Sequence, residues 1–297
     1  MSTPGNTTVA FIGLGIMGGP MAGHLIDAGY QVVGYNRSRP KLDRLVEKGA
    51  RPADSAADAV READVAITMV PDSPDVEAVT LGEDGIYAAA KPGLLHIDCS
   101  TIRPDVARQV AEAGARRGIR VVDAPVSGGE AGAEEGSLSI MVGGAEEDVA
   151  AAMPYLNVMG KTVVHVGPAG AGQTVKAANQ LIVAGNIQLV AEALVFLEAH
   201  GVDTEAATEV LAGGLAGSAV LQRKAANMRA REFAPGFRIE LHHKDLGIVT
   251  AAAREAGVAI PLGAAVAQLV GALRAQGHGG LDHSALLLLV DQLSGRG

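Results

Sequence analysis

The sequence predicts an α/β protein: a doubly wound parallel sheet with helices on both faces, followed by an all-helical half. Three observations carry this prediction. Short apolar runs alternate with helical patterns up to residue 166. A glycine pattern joins the first apolar run to the first helix. Past residue 200 only helical periodicity recurs. The expected division is residues 1–166 and residues 167–297, joined by a long helix.

Val9 to Ile12 is an apolar run ending in Gly13-Leu14-Gly15-Ile16-Met17-Gly18, and a helical pattern follows through Met21, Leu25 and Ile26 to Gly29. Gln31 to Tyr35 is the next strand. In this strand, G-x-G-x-x-G, helix, strand context the first glycine permits a tight turn. The second lets backbone approach a pyrophosphate, and the third lets helix and strand pack. The helix start offers N–H groups to phosphate. Residues 1–166 are therefore read as a Rossmann-type dinucleotide-binding domain, with Gly13, Leu14, Gly15, Ile16, Met17 and Gly18 against the cofactor.

Helices are expected at Leu42 to Gly49, Asp54 to Ala63 with Asp54 or Ser55 as cap, Val76 to Leu81, Pro104 to Gly118 and Glu146 to Met159. Strands are expected at Val65 to Val70, stopped by Pro71, then Leu94 to Asp98, Arg120 to Val122, Leu138 to Val142 and Val163 to Val166. A glycine-rich turn at 167–170 opens a long helix to His200, with apolar or small residues recurring at Val175, Ala178, Leu181, Ile182, Gly185, Leu189, Ala193 and Leu194. Further helices are expected at 204–212, 218–230, 241–256, 262–276 and 282–293.

The bulk numbers exclude several classes. Apolar residues make up 48% of the chain and aromatics 3%, so the core is built from Ala, Val, Leu and Ile. A net charge of −9 without a basic tract argues against a nucleic-acid partner. The single cysteine, Cys99, excludes an internal disulfide and fits a reducing compartment. The polar lead MSTPGNTT lacks the charged start and apolar stretch of a signal peptide. No uninterrupted apolar run of about 18 residues occurs, so no membrane span is expected and a cytoplasmic protein is.

The second strand ends Tyr35-Asn36-Arg37-Ser38, without the carboxylate that would hold the ribose 2′-OH of NAD. Arg37 can sit against a 2′-phosphate, and Asn36 and Ser38 can donate to it. NADP(H) is favoured, with NAD(H) as the alternative.

Ligands of doubly wound sheets lie beyond the carboxyl ends of strands. Three such ends stand out: Val70-Pro71, Ser100-Thr101, and Asp123-Ala124-Pro125-Val126-Ser127-Gly128-Gly129. Ser127, Gly128 and Gly129 offer a hydroxyl and unshielded N–H groups, either a cradle for a small carboxylate or an ordinary glycine turn. Lys176 lies in the first turns of the long helix, with Asn179 and Gln180 three and four residues later on the same face. A lysine at that junction is a candidate proton donor; the alternative is a surface lysine on a structural helix. Cys99 is read as packing rather than as a nucleophile. His242 and His243 point to different faces of a helix, so no metal pair is expected. Lys244-Asp245 is read as a solvated face or as a site residue with a partner.

Taken together these residues resemble the β-hydroxyacid dehydrogenase family. The matching segments are Phe11 to Met21, Asp123 to Gly129, Gly170 to Gln180 and Lys244-Asp245-Leu246, in order along nearly the whole chain. Within the family the resemblance is to the tartronate semialdehyde (2-hydroxy-3-oxopropionate) reductases, through Gly213 to Ser218, Pro235 to Ile239 and Asn179-Gln180. It implies NAD(P)H-dependent reduction of tartronate semialdehyde to glycerate. Lys176 would be the proton donor, with Asn179 and Gln180 orienting the substrate and Ser127, Gly128 and Gly129 holding its carboxylate. Val70, Pro71, Asp75, Thr101 and Lys244 would line the cofactor. The resemblance also implies a homodimer or homotetramer through the helical half. Asn36, where such reductases often carry Asp, departs from the pattern and leaves the cofactor open. The alternatives are a 3-hydroxyisobutyrate or 4-hydroxybutyrate-type dehydrogenase, an imine reductase, and a non-catalytic NADP-binding module.

Overall fold

The computed structural model describes residues 4–296, so Met1, Ser2 and Thr3 of the polar lead lie outside the described residues. The chain forms two compact units that divide between Lys176 and Ala177. This is later than the expected boundary at 166, because the first turns of the long helix belong to the first unit.

The strands are β1 (Thr8–Ile12), β2 (Gln31–Tyr35), β3 (Arg51–Pro52), β4 (Val65–Thr68), β5 (Leu95–Asp98), β6 (Arg120–Asp123), β7 (Val126–Ser127), β8 (Leu138–Gly143) and β9 (Gly160–Gly167). The order β3-β2-β1-β4-β5-β6 is the doubly wound one, with every neighbouring pair parallel. The sheet is not parallel throughout. β8 runs antiparallel to β6 and to β7, and β9 then pairs parallel with β8. Residues 128–137 between β7 and β8 are too few for the crossover that a parallel pair needs.

The helices of this unit are α1 (Gly18–Asp27), α2 (Arg39–Glu47), α3 (Ala56–Val60), α4 (Ser73–Leu81), α5 (Ile86–Ala89), α6 (Pro104–Ala115), α7 (Gly129–Glu134) and α8 (Glu146–Met159). α2 begins ahead of the expected Leu42 because Pro40 supplies a preset first turn. Ser55 caps α3 by accepting the Asp58 N–H. Both faces of the sheet are covered, as alternation along β1 shows. Val9 and Phe11 enter one apolar core, while Ala10 and Ile12 enter the other. Phe11, Ile67 and Ile97 are fully buried, each contributing about 1.5–3 kcal/mol.

The long helix α9 (Ala171–Ala199) runs from the first unit into the second. The second unit is helical: α10 (Thr204–Gly213), α11 (Ala219–Ala230), α12 (Ile239–Glu255), α13 (Pro261–Leu273) and α14 (Leu286–Leu293). Ala184, Ile187, Ala191 and Leu194 of α9 lie in its core with Leu246, Val270 and Leu286. Among the described residues α9 is the one helix long and apolar enough to cross a membrane by length and composition. Burial in this core accounts for those four residues, while Val175, Ile182 and Leu189 of the expected apolar stripe are exposed, and Asn186, Gln188 and Glu192 interrupt the apolar run.

Candidate active site

The glycine loop connects β1 to α1. Gly13 has φ +97°, and a side chain there would collide with the Met69 carbonyl oxygen. At Gly18 a side chain would collide with the Gly13 carbonyl oxygen and press on the Phe11 ring. A side chain at Gly15 would meet open space instead. Met17 gives α1 no side-chain cap; within the first turn the Gly19 N–H goes to the Gly15 carbonyl at 2.9 Å, and Pro20 has no N–H. An open approach at Gly15 beside an uncapped helix start fits a pyrophosphate.

Asn36 does not stand free to meet a ribose. Its Oδ1 accepts the Leu14 N–H at 2.9 Å and its Nδ2 donates to the Ser38 carbonyl at 3.0 Å, so it fastens the end of β2 to the glycine loop. Arg37 is 79% exposed and lies 3.5 Å from the Asp75 carboxylate.

The strand ends are knitted together below this loop. The Val70 N–H donates to Ser100 Oγ at 3.0 Å, tying the segment before Pro71 to the segment before Thr101. Asp98 Oδ1 accepts from Thr68 Oγ1 at 2.7 Å and from the Ser100 N–H at 3.1 Å. On the same side His96 Nε2 meets Thr68 Oγ1 at 3.1 Å, and His96 Nδ1 meets the Tyr87 hydroxyl at 2.9 Å. Since Thr68 spends its proton on Asp98, His96 carries its proton on Nε2 and accepts from Tyr87 at Nδ1. Burial holds this imidazole neutral, down to about 3. Cys99 is fully buried, and burial pushes its thiol well up, which fits packing and not nucleophilic attack.

Asp123 closes β6 and anchors the start of α9. Its Oδ1 accepts the Gly170 N–H at 2.7 Å and its Oδ2 the Gln173 N–H at 2.9 Å. The Gln173 side chain donates from Nε2 to the Ser100 carbonyl at 2.8 Å and accepts the Ile102 N–H on Oε1 at 3.0 Å. Lys176 follows on the same helix face, about 4.5 Å further along the axis. It is 6% exposed, which removes the surface-lysine alternative. Ser127 ends β7, and Gly128 (φ +144°) and Gly129 (φ +69°) lead into α7.

In the second unit Asn179 Nδ2 donates to Gln180 Oε1 at 2.7 Å, and Gln180 Nε2 donates to Asp245 Oδ2 at 2.6 Å. Lys244 Nζ pairs with Asp245 Oδ1 at 2.8 Å. One buried carboxylate thus brings Gln180 and Lys244 together, with Asn179 joined to it through Gln180. The solvated-face reading of Lys244-Asp245 is corrected, since Asp245 is 4% exposed. His242 is buried against His283, with the two Nδ1 atoms 3.1 Å apart, and His243 lies elsewhere. Among the described residues no group of three or more His, Cys, Asp or Glu could hold a metal.

Asp123 and Gln173 stand within motifs in the sequence without an expected role, Asp98 stands there only as a strand end, and Asp245 has no expected partner by name. Their partners lie in other elements, so only Asp123, an acid closing a strand beside a glycine turn, left a local signal.

Residues 8–167 match the family model described as the NAD binding domain of 6-phosphogluconate dehydrogenase. Residues 170–290 match that of the NAD-binding domain of NADP-dependent 3-hydroxyisobutyrate dehydrogenase. The chain is 41% identical to the 2-hydroxy-3-oxopropionate reductase of Escherichia coli, over 96% of this chain and 98% of that protein. It is 40% identical to the 3-hydroxyisobutyrate dehydrogenase of Pseudomonas aeruginosa, over 94% and 97%. The solved structure of Mycobacterium tuberculosis 3-hydroxyisobutyrate dehydrogenase with L-serine superposes with a TM-score of 0.87 at 36% identity, covering 96% of this chain and 99% of that one. With both models matched in order and relatives aligned end to end, the chain belongs to the β-hydroxyacid dehydrogenase family, NAD(P)-dependent oxidoreductases acting on the CH–OH group of hydroxy acids.

Proposed function

We propose that this protein reduces tartronate semialdehyde (2-hydroxy-3-oxopropionate) to glycerate, with Lys176 as the proton donor. The observation that carries the reading is the mounting of Lys176. It is buried one turn beyond a helix start bound to the carboxyl ends of β5 and β6, where ligands of doubly wound sheets lie. The nicotinamide cofactor, when bound, supplies the hydride. Lys176 Nζ holds a proton and passes it to the aldehyde oxygen, stabilising the developing alkoxide. The Ser127 hydroxyl and the N–H groups of Gly128 and Gly129 hold the substrate carboxylate. Asn179 and Gln180 orient the substrate, and Asp245 fixes the Gln180 carboxamide.

The glycine loop holds the pyrophosphate, and Arg37 favours a 2′-phosphate, hence NADP(H) over NAD(H). Val70, Pro71, Asp75, Thr101 and Lys244 line the cofactor. The substrate choice rests on the resemblance at 213–218 and 235–239 and on the 41% identical reductase. The 3-hydroxyisobutyrate reading is supported by a relative of nearly equal identity.

The working form is a homo-oligomer through the helical unit, where Ile182, Leu189 and Phe196 lie exposed at seven-residue spacing. A lone buried cysteine fits a cytoplasmic enzyme.

A steady-state panel in the oxidative direction, with NAD+ and with NADP+, tests the reading. It compares kcat/KM for glycerate, 3-hydroxyisobutyrate, L-serine and 4-hydroxybutyrate. A higher kcat/KM for 3-hydroxyisobutyrate or L-serine than for glycerate would overturn the assignment.

A further inference from the structure

We infer that Gln173 is a positioning residue: a strut that holds Lys176 in register with the segment carrying Thr101. The inference rests on Lys176 being the proton donor. Gln173 is 1% exposed, so water cannot stand in for its hydrogen bonds. Its carboxamide grips the backbone on both sides of Thr101, donating to the Ser100 carbonyl and accepting from the Ile102 N–H. A carbonyl on one side and an N–H on the other fix which end of the amide is which. Its own N–H is held by Asp123, which also holds Gly170. The loop after β5, the end of β6 and the first turn of α9 therefore form one joint.

The joint has no slack. A side chain on Gly172 would come within 2.7 Å of Asp123 Oδ2, and one on Gly143 within 2.5 Å of Asp123 Oδ1. Lys176 rides one turn above, on the same face as Gln173. A residue at 173 that could not both donate and accept would let the Thr101 segment and the lysine drift apart. Proton transfer timed to hydride transfer does not tolerate such drift, since a misplacement of about 1 Å costs on the order of 100-fold in rate.

Two substitutions test this beside Lys176→Ala as reference. Gln173→Met keeps the volume and removes both hydrogen bonds. It should lower kcat by about 10- to 100-fold while substrate KM stays within about three-fold. The Kd for NAD(P)H, read by nucleotide fluorescence, should not change. Gln173→Glu keeps the acceptor and loses the donor at high pH. Burial raises the pKa of the introduced carboxyl, so lowering the pH returns an O–H that can donate to the Ser100 carbonyl. The ratio of kcat in Gln173→Glu to wild type should therefore climb as pH falls, an effect that a general loss of packing would not produce. If Gln173→Met fails to fold, that ratio alone decides. Near-wild-type kcat in the Gln173 variants beside an inactive Lys176→Ala overturns the strut and spares the proton donor. A pH-independent ratio, or a loss confined to KM or Kd, overturns it equally. An active Lys176→Ala overturns the reading beneath it.

Discussion

Asp98 and Asp123 are register partners at the ends of adjacent parallel strands, yet only Asp123 has donors on both carboxylate oxygens. Asp98 Oδ2 is buried without a hydrogen-bond partner. Burial, with the neighbouring Asp123 charge adding to it against the hydrogen bonds from Ser100 and Thr68, pushes the Asp98 carboxyl up to about 6. His96 on the same side stays neutral through this range.

A raised carboxyl makes the folded state the tighter proton binder. Its stabilising contribution is full below the unfolded pKa near ~3.9 and is lost as pH rises through about 6. Asp98→Asn mimics the protonated acid and removes that loss. The variant should therefore gain on wild type by about 3 kcal/mol between acidic pH and pH 8. Urea unfolding of both proteins at the two pH values measures it, and a constant difference between them would sink the assignment.

Removing the ammonium should separate chemistry from cofactor binding. Lys176→Ala is expected to lower kcat by roughly 100- to 10,000-fold while NAD(P)H binds as before. Turnover near the wild-type rate would remove Lys176 from the mechanism.

Cofactor preference should respond to the pair at the end of β2. Arg37→Ala should weaken NADPH binding and leave NADH nearly unchanged. Asp75 competes for the same guanidinium at 3.5 Å. Asp75→Asn should strengthen NADPH binding by about two- to five-fold, the range of an exposed ion pair. Fluorescence titrations with both nucleotides read the two ratios; equal shifts for NADH and NADPH would show that neither residue discriminates.

Charging the exposed stripe of α9 tests the proposed homo-oligomer. Ile182, Leu189 and Phe196 are 63%, 61% and 63% exposed. Leu189→Glu is expected to shift the sedimentation mass toward that of one chain and to abolish the dependence of Tm on protein concentration. An unchanged mass would place any interface elsewhere.

The doubly wound half is legible in the sequence because its strands are long enough to show apolar runs between helices. Gln31–Tyr35 and Glu146–Met159 have the expected ends, the latter despite Pro154 inside it. β3, β7, α5 and α7 span only two to six residues each, too few for periodicity to register. The antiparallel pairing of β8 with β7 follows from a short connection and not from strand composition. The site divides the same way. Glycine turns, strand ends and the lysine helix carry local patterns. The role of Asp245 appears only when Gln180 of one helix meets it on another.

The sealed position of Cys99, the sole sulfhydryl in the chain, has a practical consequence. Maleimide reagents should leave the native protein unmodified without any prior cysteine removal. One cysteine introduced on the surface would then be the single point of attachment for a dye or spin label, ready to report on motions during turnover.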